Sequence, residues 1–281
     1  EIEATFIPAY LELRDTLSDL LLQANDEGGA WTMPGGAAYY TYALQHETST
    51  QMTPEEVHQL GLSELLRIQQ ELKTAASALG YSEEEIDQRL TEGSLLLSGT
   101  ALQAEFERLI ALADQISRDQ FHLYPAAGLI IQQEPHGSLA YYIPPPFDGS
   151  APGHFFVNLE RPTPQYLLPG ITFHETIPGH HIQAALAREL DLPTFRQDME
   201  FNAYVAGWAL YAERLAWEME LYEGDPLGNL GRLQLEEMRA LRLVVDTGVH
   251  AMGWTLEEVS ARVEQLTGSP VSQDYLTRFF V

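Results

Sequence analysis

The sequence predicts a mainly α fold carrying a small β-sheet. Three observations point there. Long stretches on both sides of the middle repeat apolar residues at helical spacing. Three threonine or serine starts carry glutamates placed to reach back to the cap. Between about residues 128 and 159 the pattern changes to short β-branched and aromatic runs separated by proline and glycine.

In order along the chain, residues 4–24 carry Tyr10, Leu11, Leu13, Leu17, Leu20 and Leu21 at helical intervals. The glycine-rich segment Gly28–Gly36 ends that pattern, and a loop or a ligand cradle would both suit it. Thr53-Pro54-Glu55-Glu56 reads as a capped helix start with proline at the first position. Ser82-Glu83-Glu84-Glu85 and Thr255-Leu256-Glu257-Glu258 repeat the device, so helices are expected over 53–79, 82–91, 101–120 and 254–266. Strands are expected at 128–133, 140–143 and 154–159, parted by Pro144-Pro145-Pro146 and the turn Asp148-Gly149-Ser150. Helices should return over 193–222 and 227–249. This divides the chain into a helical region, 1–125, and a region of sheet and site-bearing helices, 126–281, within one continuous domain.

Composition removes several functional classes. With 15 basic and 41 acidic residues the net charge is −26, which opposes binding to nucleic acid or an anionic membrane. Lys73 is the single lysine. With no cysteine there is no disulfide framework and no thiolate ligand or nucleophile. No run approaches the roughly 18 apolar residues of a membrane span, and the opening residues lack a signal-peptide pattern.

The chemistry concentrates in His174-Glu175-Thr176-Ile177-Pro178-Gly179-His180-His181. Neutral imidazoles can hold a zinc ion, and a neighbouring carboxylate can take a proton from water. A helical H-E-x-x-H site needs a histidine at 178, where this chain has proline. On one unbroken helix His174 and His180 would stand about 9 Å apart along the axis and roughly 120° apart around it. His174 and His181 would share a face but lie about 10.5 Å apart, beyond the reach of two bonds of roughly 2.0–2.1 Å to one ion. The Pro178–Gly179 pair supplies an escape, because proline removes a donor and collides with the carbonyl at 174. A two-residue bulge bringing His174 to either His180 or His181 is therefore expected; a loop-to-helix junction with histidines there by chance is the alternative. Glu55-x-x-His58 has di-iron spacing, but no partner motif accompanies it and helix capping explains the glutamates.

The segment His174–Gln183 resembles the signature of the bacterial family known as domain of unknown function 885. Pro34–Tyr40, Thr53–Leu62, Gly207–Glu213 and Arg242–His250 resemble the same family in the same order. The family in turn looks related to helical zinc peptidases of the thimet oligopeptidase, angiotensin-converting enzyme and carboxypeptidase Taq kinds. The resemblance implies a gluzincin-like helical fold with a substrate cleft, and zinc-dependent hydrolysis of a peptide-type amide bond. His174 and His180 would hold zinc, Glu175 would act as general base, and His250, four residues from Asp246, would donate to the oxyanion. The strand His154–Leu159 would be the sheet edge that pairs with a peptide.

One departure matters. Where the family usually carries glutamate, this chain has Ala206, 26 residues after His180 and at the expected third ligand. An engineered change, a natural loss, or replacement by Glu200 or Glu213 would each account for it, and the first two fit better. The implied consequence is doubtful zinc occupancy and a weak or inactive enzyme; a catalytically inactive peptide-binding member is the alternative. A helical assembly module would leave the histidines without a purpose. Family members also usually extend beyond both ends of this sequence, so it is expected to be a piece of a longer protein.

Overall fold

The computed structural model describes residues 2–22, 28–82, 85, 95–197, 199 and 201–280. In chain order the described elements are α1 (Ile7–Leu21), α2 (Gly36–Thr48), α3 (Pro54–Ala78), β1 (Leu96–Leu97), α4 (Gly99–Gln120), β2 (Leu129–Gln133), β3 (Ala140–Ile143) and β4 (Gly153–Val157). There follow β5 (Thr163–Pro164), α5 (Leu168–Glu175), α6 (His180–Glu189), α7 (Thr194–Gln197), α8 (Asn202–Glu218), α9 (Pro226–Met252), α10 (Leu256–Thr267) and α11 (Gln273–Leu276). The fold is mainly helical with small sheets, as the sequence predicts. No helix among the described residues is long and apolar enough to cross a membrane.

The chain forms two compact units, Glu1–Tyr42 with Val245–Val281, and Ala43–Val244. In the first, Thr255 caps α10 by accepting from the Glu258 amide while Glu258 reaches back, the reciprocal pair its sequence announces. Val259 and Val263, one turn apart, are its buried face. The helix α1 forms where apolar periodicity predicts one, and none of its residues is buried.

The larger unit is organised around α4 and the sheet. Leu102, Phe106, Leu109 and Ala113 recur on one face of α4 and are fully buried against Phe155, Leu168, Phe173 and Ile182. Phe106 meets Phe155 edge-on at 5.2 Å between centroids. Side chains of this size buried completely contribute about 1.5–3 kcal/mol each. Thr53 and Glu56 complete the capping box of α3. Ser82 and Glu85 make the same reciprocal bonds, although most of the helix predicted over 82–91 lies outside the described residues. Arg67 on α3 is bonded by Glu64, Glu71 and Glu236, tying α3 to the first half of α9.

Three strands form where predicted, in the order β2-β4-β3. Strand β4 runs parallel to β2 (Leu129↔Gly153 to Gln133↔Val157) and antiparallel to β3 (Ala140↔Val157 to Ile143↔His154). This corrects the expectation for His154–Leu159. That segment is the central strand, with both backbone edges already paired, and cannot accept a peptide. Its alternating buried residues Gly153, Phe155 and Val157 place one face of the strand in the core. Period-2 patterning sets faces but not neighbours. The edges are β2 and β3. A second pairing, β1 with β5, was not foreseen, since two-residue strands carry no periodicity. The span predicted as one helix over 193–222 contains α7 and α8 as separate helices.

Candidate functional site

The site is made by a break between α5 and α6. Helix α5 ends at Glu175 and α6 begins at His180, so the expected two-residue bulge is instead a complete interruption over 176–179. Thr172 turns its hydroxyl back on the carbonyl of Leu168 at the start of α5, and Thr176 turns its own on that of Thr172, an acceptor in the last turn. The His181 amide then donates to the Thr176 carbonyl at 3.0 Å, closing the turn. Gly179 is required by space. A Cβ there would stand 1.9 Å from the His174 carbonyl oxygen and 2.4 Å from that of Phe173. The carbonyls of Pro178 and Gly179 receive the Trp208 indole N–H at 3.0 and 3.2 Å, which fastens the break to α8.

The break brings His174 and His180 together and sends His181 elsewhere. The His174 and His180 rings stand 5.0 Å apart between centroids, at 89°. The His181 ring is buried, with Nδ1 2.9 Å from the Tyr142 hydroxyl and a further hydrogen bond to the Ala127 backbone. Between the two alternatives left open by spacing, His180 is the partner of His174.

His174 is held from behind. Its Nδ1 lies 2.7 Å from Oε1 of Glu213, which is almost wholly buried and also accepts from Arg239 at 2.8 Å. A carboxylate accepts only, so Nδ1 donates to Glu213 and Nε2 is left on the opposite edge of the ring. Glu213 is therefore the orienting partner of His174, on the far side of the ring from any ligand Nε2 would hold. Ala206, two turns earlier on the same face of α8, is exposed and ends at a methyl group. Glu200 lies outside the described residues. Among the described residues no group of three or more histidine, aspartate or glutamate side chains is arranged to hold a metal ion.

Glu175 and His180 open onto one cleft of about 600 Å³, lined also by Tyr141, Tyr142, Gln183 and Val205. Burial pushes the Glu175 carboxyl up to about 7, against the opposing pull of His174 and Arg239 and a hydrogen bond from the Tyr142 backbone. Burial and the neighbouring His174 lower His180 to about 4, so it is a neutral imidazole at physiological pH. A carboxylate that titrates near neutrality beside the neutral His180 imidazole is chemically suited to accept a proton from water.

Residues 1–273 match the family described as "Bacterial protein of unknown function (DUF885)". The chain belongs to this family. No curated protein matches it. Among solved structures, a Colwellia psychrerythraea protein described as a "putative lipoprotein" is 31% identical with a TM-score of 0.89, over 99% of this chain and 51% of that one. A Shewanella oneidensis protein described as a "putative lipoprotein of unknown function" shares the fold at 17% identity, with a TM-score of 0.69 over 95% of this chain and 52% of that one. The chain thus spans about half the length of these structures.

Within this DUF885 chain the remaining predicted residues fall in the smaller unit. Asp246 accepts the Tyr40 hydroxyl at 2.5 Å, and Tyr40 stacks on His250 at 5.3 Å. The His250 Nδ1 accepts the Ala30 amide at 3.0 Å. That bond places the ring proton on Nε2, leaving it a donor. The glycine-rich segment serves here as the loop that delivers the Ala30 amide. Arg239 and Tyr142 are site residues that sequence reasoning did not find. Neither belongs to a local motif, and only the fold brings them to the histidines.

Proposed function

We propose that this DUF885 chain is built as a gluzincin-like, zinc-dependent hydrolase of peptide-type amide bonds, incomplete at Ala206. The observation that carries the reading is the separation of the two imidazoles. Two rings bonded to one tetrahedral zinc at roughly 2.0–2.1 Å place their centroids about 5 Å apart, and His174 and His180 stand at 5.0 Å. His174 adds the carboxylate-backed geometry common in such ligands, through Glu213 and Arg239. The residues present thus fit two of the protein ligands a zinc site needs. Zinc, when bound, would polarise the substrate carbonyl and acidify a water.

The chain's own residues supply the rest. Glu175, in the same cleft, takes the proton from water and passes it to the leaving amine. Tyr142 positions Glu175 through its backbone amide. The cleft supplies the substrate surface. Ala206 favours a second reading, peptide binding without turnover, because α8 carries no carboxylate where a metal ligand is expected.

Restoring that carboxylate separates the two. Ala206→Glu, prepared with added zinc, should bind about one zinc per chain and acquire amidase activity on a peptide library, while the unaltered chain should do neither well. If the glutamate version gains neither metal nor activity, the hydrolase reading fails. If the unaltered chain already binds zinc tightly, the role given to Ala206 is wrong.

A further inference from the structure

The wall of the cleft is one face of α6. His180, Gln183, Ala184, Ala187 and Arg188 follow the spacing of a helix stripe, and all five line the cavity. Its chemistry is graded. Glu175 and His180 lie at one end of this stripe and Arg188 at the other, where Gln197, next to Arg196 on α7, donates to the Arg188 carbonyl; both arginines line the cleft. In a chain of net charge −26 with 15 basic residues, two arginines in this lining are a concentration of scarce charge. Glu175 is the one carboxylate among the described lining residues.

The two arginines are not equivalent. Arg188 is committed, since it donates to the Pro145 carbonyl and lies 4.5 Å over the Phe147 ring. Arg196 makes no ion pair with any described carboxylate and is exposed at the cleft. Between this end and His180, the side-chain oxygen of Gln183 is buried with no hydrogen-bond partner. A buried acceptor without a donor is costly unless a ligand supplies one.

We propose that the cleft takes a peptide whose carboxylate is held by Arg196, while Gln183 accepts a backbone N–H between that anchor and His180. The hydrolytic reading enters only in placing the reacting bond at the His180 end. Eight residues of helix separate His180 from Arg188, about 12 Å along the axis. A C-terminal carboxylate and an acidic side chain offer the same chemistry.

The test is binding to the unaltered chain, with no turnover required. Labelled pentapeptides ending in a free carboxylate, in a neutral amide, or in glutamate amide are titrated by fluorescence anisotropy at low salt. Amidation should weaken binding about tenfold or more, as expected for a lost charge-assisted hydrogen bond. Recovery with glutamate amide identifies a side-chain carboxylate as sufficient, and failure to recover assigns the C-terminal one. Arg196→Glu should reverse the preference toward a peptide ending in lysine amide, while leaving the fold intact because the residue is exposed. Equal binding of acid and amide, an unchanged ratio in Arg196→Glu, or no peptide binding would each overturn the proposal. None of these outcomes depends on the zinc content or amidase activity of Ala206→Glu, so the two readings fail separately.

Discussion

Adjacent histidines in this chain open onto two cavities of opposite character. His180 faces the cleft of about 600 Å³, where, among the described residues, Arg196 pairs with no carboxylate and Gln183 Oε1 has no hydrogen-bond partner. His181 faces a cavity of about 480 Å³ lined by Ile177, Asp114, Arg118 and Tyr124. There the polar groups answer one another. Asp114 accepts from Arg118 and Tyr124, and His181 is engaged by Tyr142 and Ala127. A cavity whose polar groups are mutually satisfied is holding the fold together, whereas one whose groups wait for partners is arranged for a ligand. One peptide bond separates the two environments, and the interruption over 176–179 decides which ring enters which.

The largest effect that could break this contrast lies at Glu175. In the Ala206→Glu background, Glu175→Gln should keep zinc while amidase activity falls by roughly 10²–10⁴, the usual contribution of a positioned general base. Metal content and turnover measured on the same preparation decide it. Undiminished activity would remove Glu175 from the chemistry and leave the cleft without its base.

Next in size is the break itself. Gly179→Ala places a methyl carbon where only 1.9 Å separates it from the His174 carbonyl oxygen. The backbone must shift, at a cost of about 1–3 kcal/mol typical of overpacking. A lowered urea midpoint is expected, together with loss of zinc uptake in the Ala206→Glu background. Full stability with zinc uptake intact would show that the histidines do not need this geometry.

Much of this architecture was legible in the sequence, and the exceptions share a cause. The capping boxes at Thr53 and Thr255 and the strands near 129, 140 and 153 follow from local chemistry, and they form as read. The need for an interruption at Pro178–Gly179 was also readable, because helix geometry alone forbids one straight helix from uniting His174 with His180. Its form was not. The sequence points to proline driving the distortion by colliding with residue 174, whereas at that carbonyl it is position 179 that has no room for a side chain. The central position of β4 was missed because a strand's own pattern does not name its neighbours. Arg239 escaped for a similar reason, lying 65 residues from His174 with no motif of its own.

The smallest predicted effect belongs to the satisfied cavity. Burial alone would raise the Asp114 carboxyl, but hydrogen bonds from Arg118 and Tyr124 more than offset it and hold Asp114 below its ordinary 3.8. The unfolded chain therefore binds this proton at a higher pH than the folded one. The resulting stability is fully present above the ordinary value and is lost as pH falls through the depressed one. Asp114→Asn should cost up to about 1 kcal/mol near neutrality, the range of partly exposed ion pairs, and should flatten the acid side of the stability curve. Urea midpoints followed from pH 7 to pH 3 test this, with peptide binding in the neighbouring cleft unchanged at neutral pH. A variant that unfolds with the same acid dependence as the parent would mean that the Asp114 cluster stabilises nothing through its charge, and the distinction between the two cavities would lose its electrostatic half.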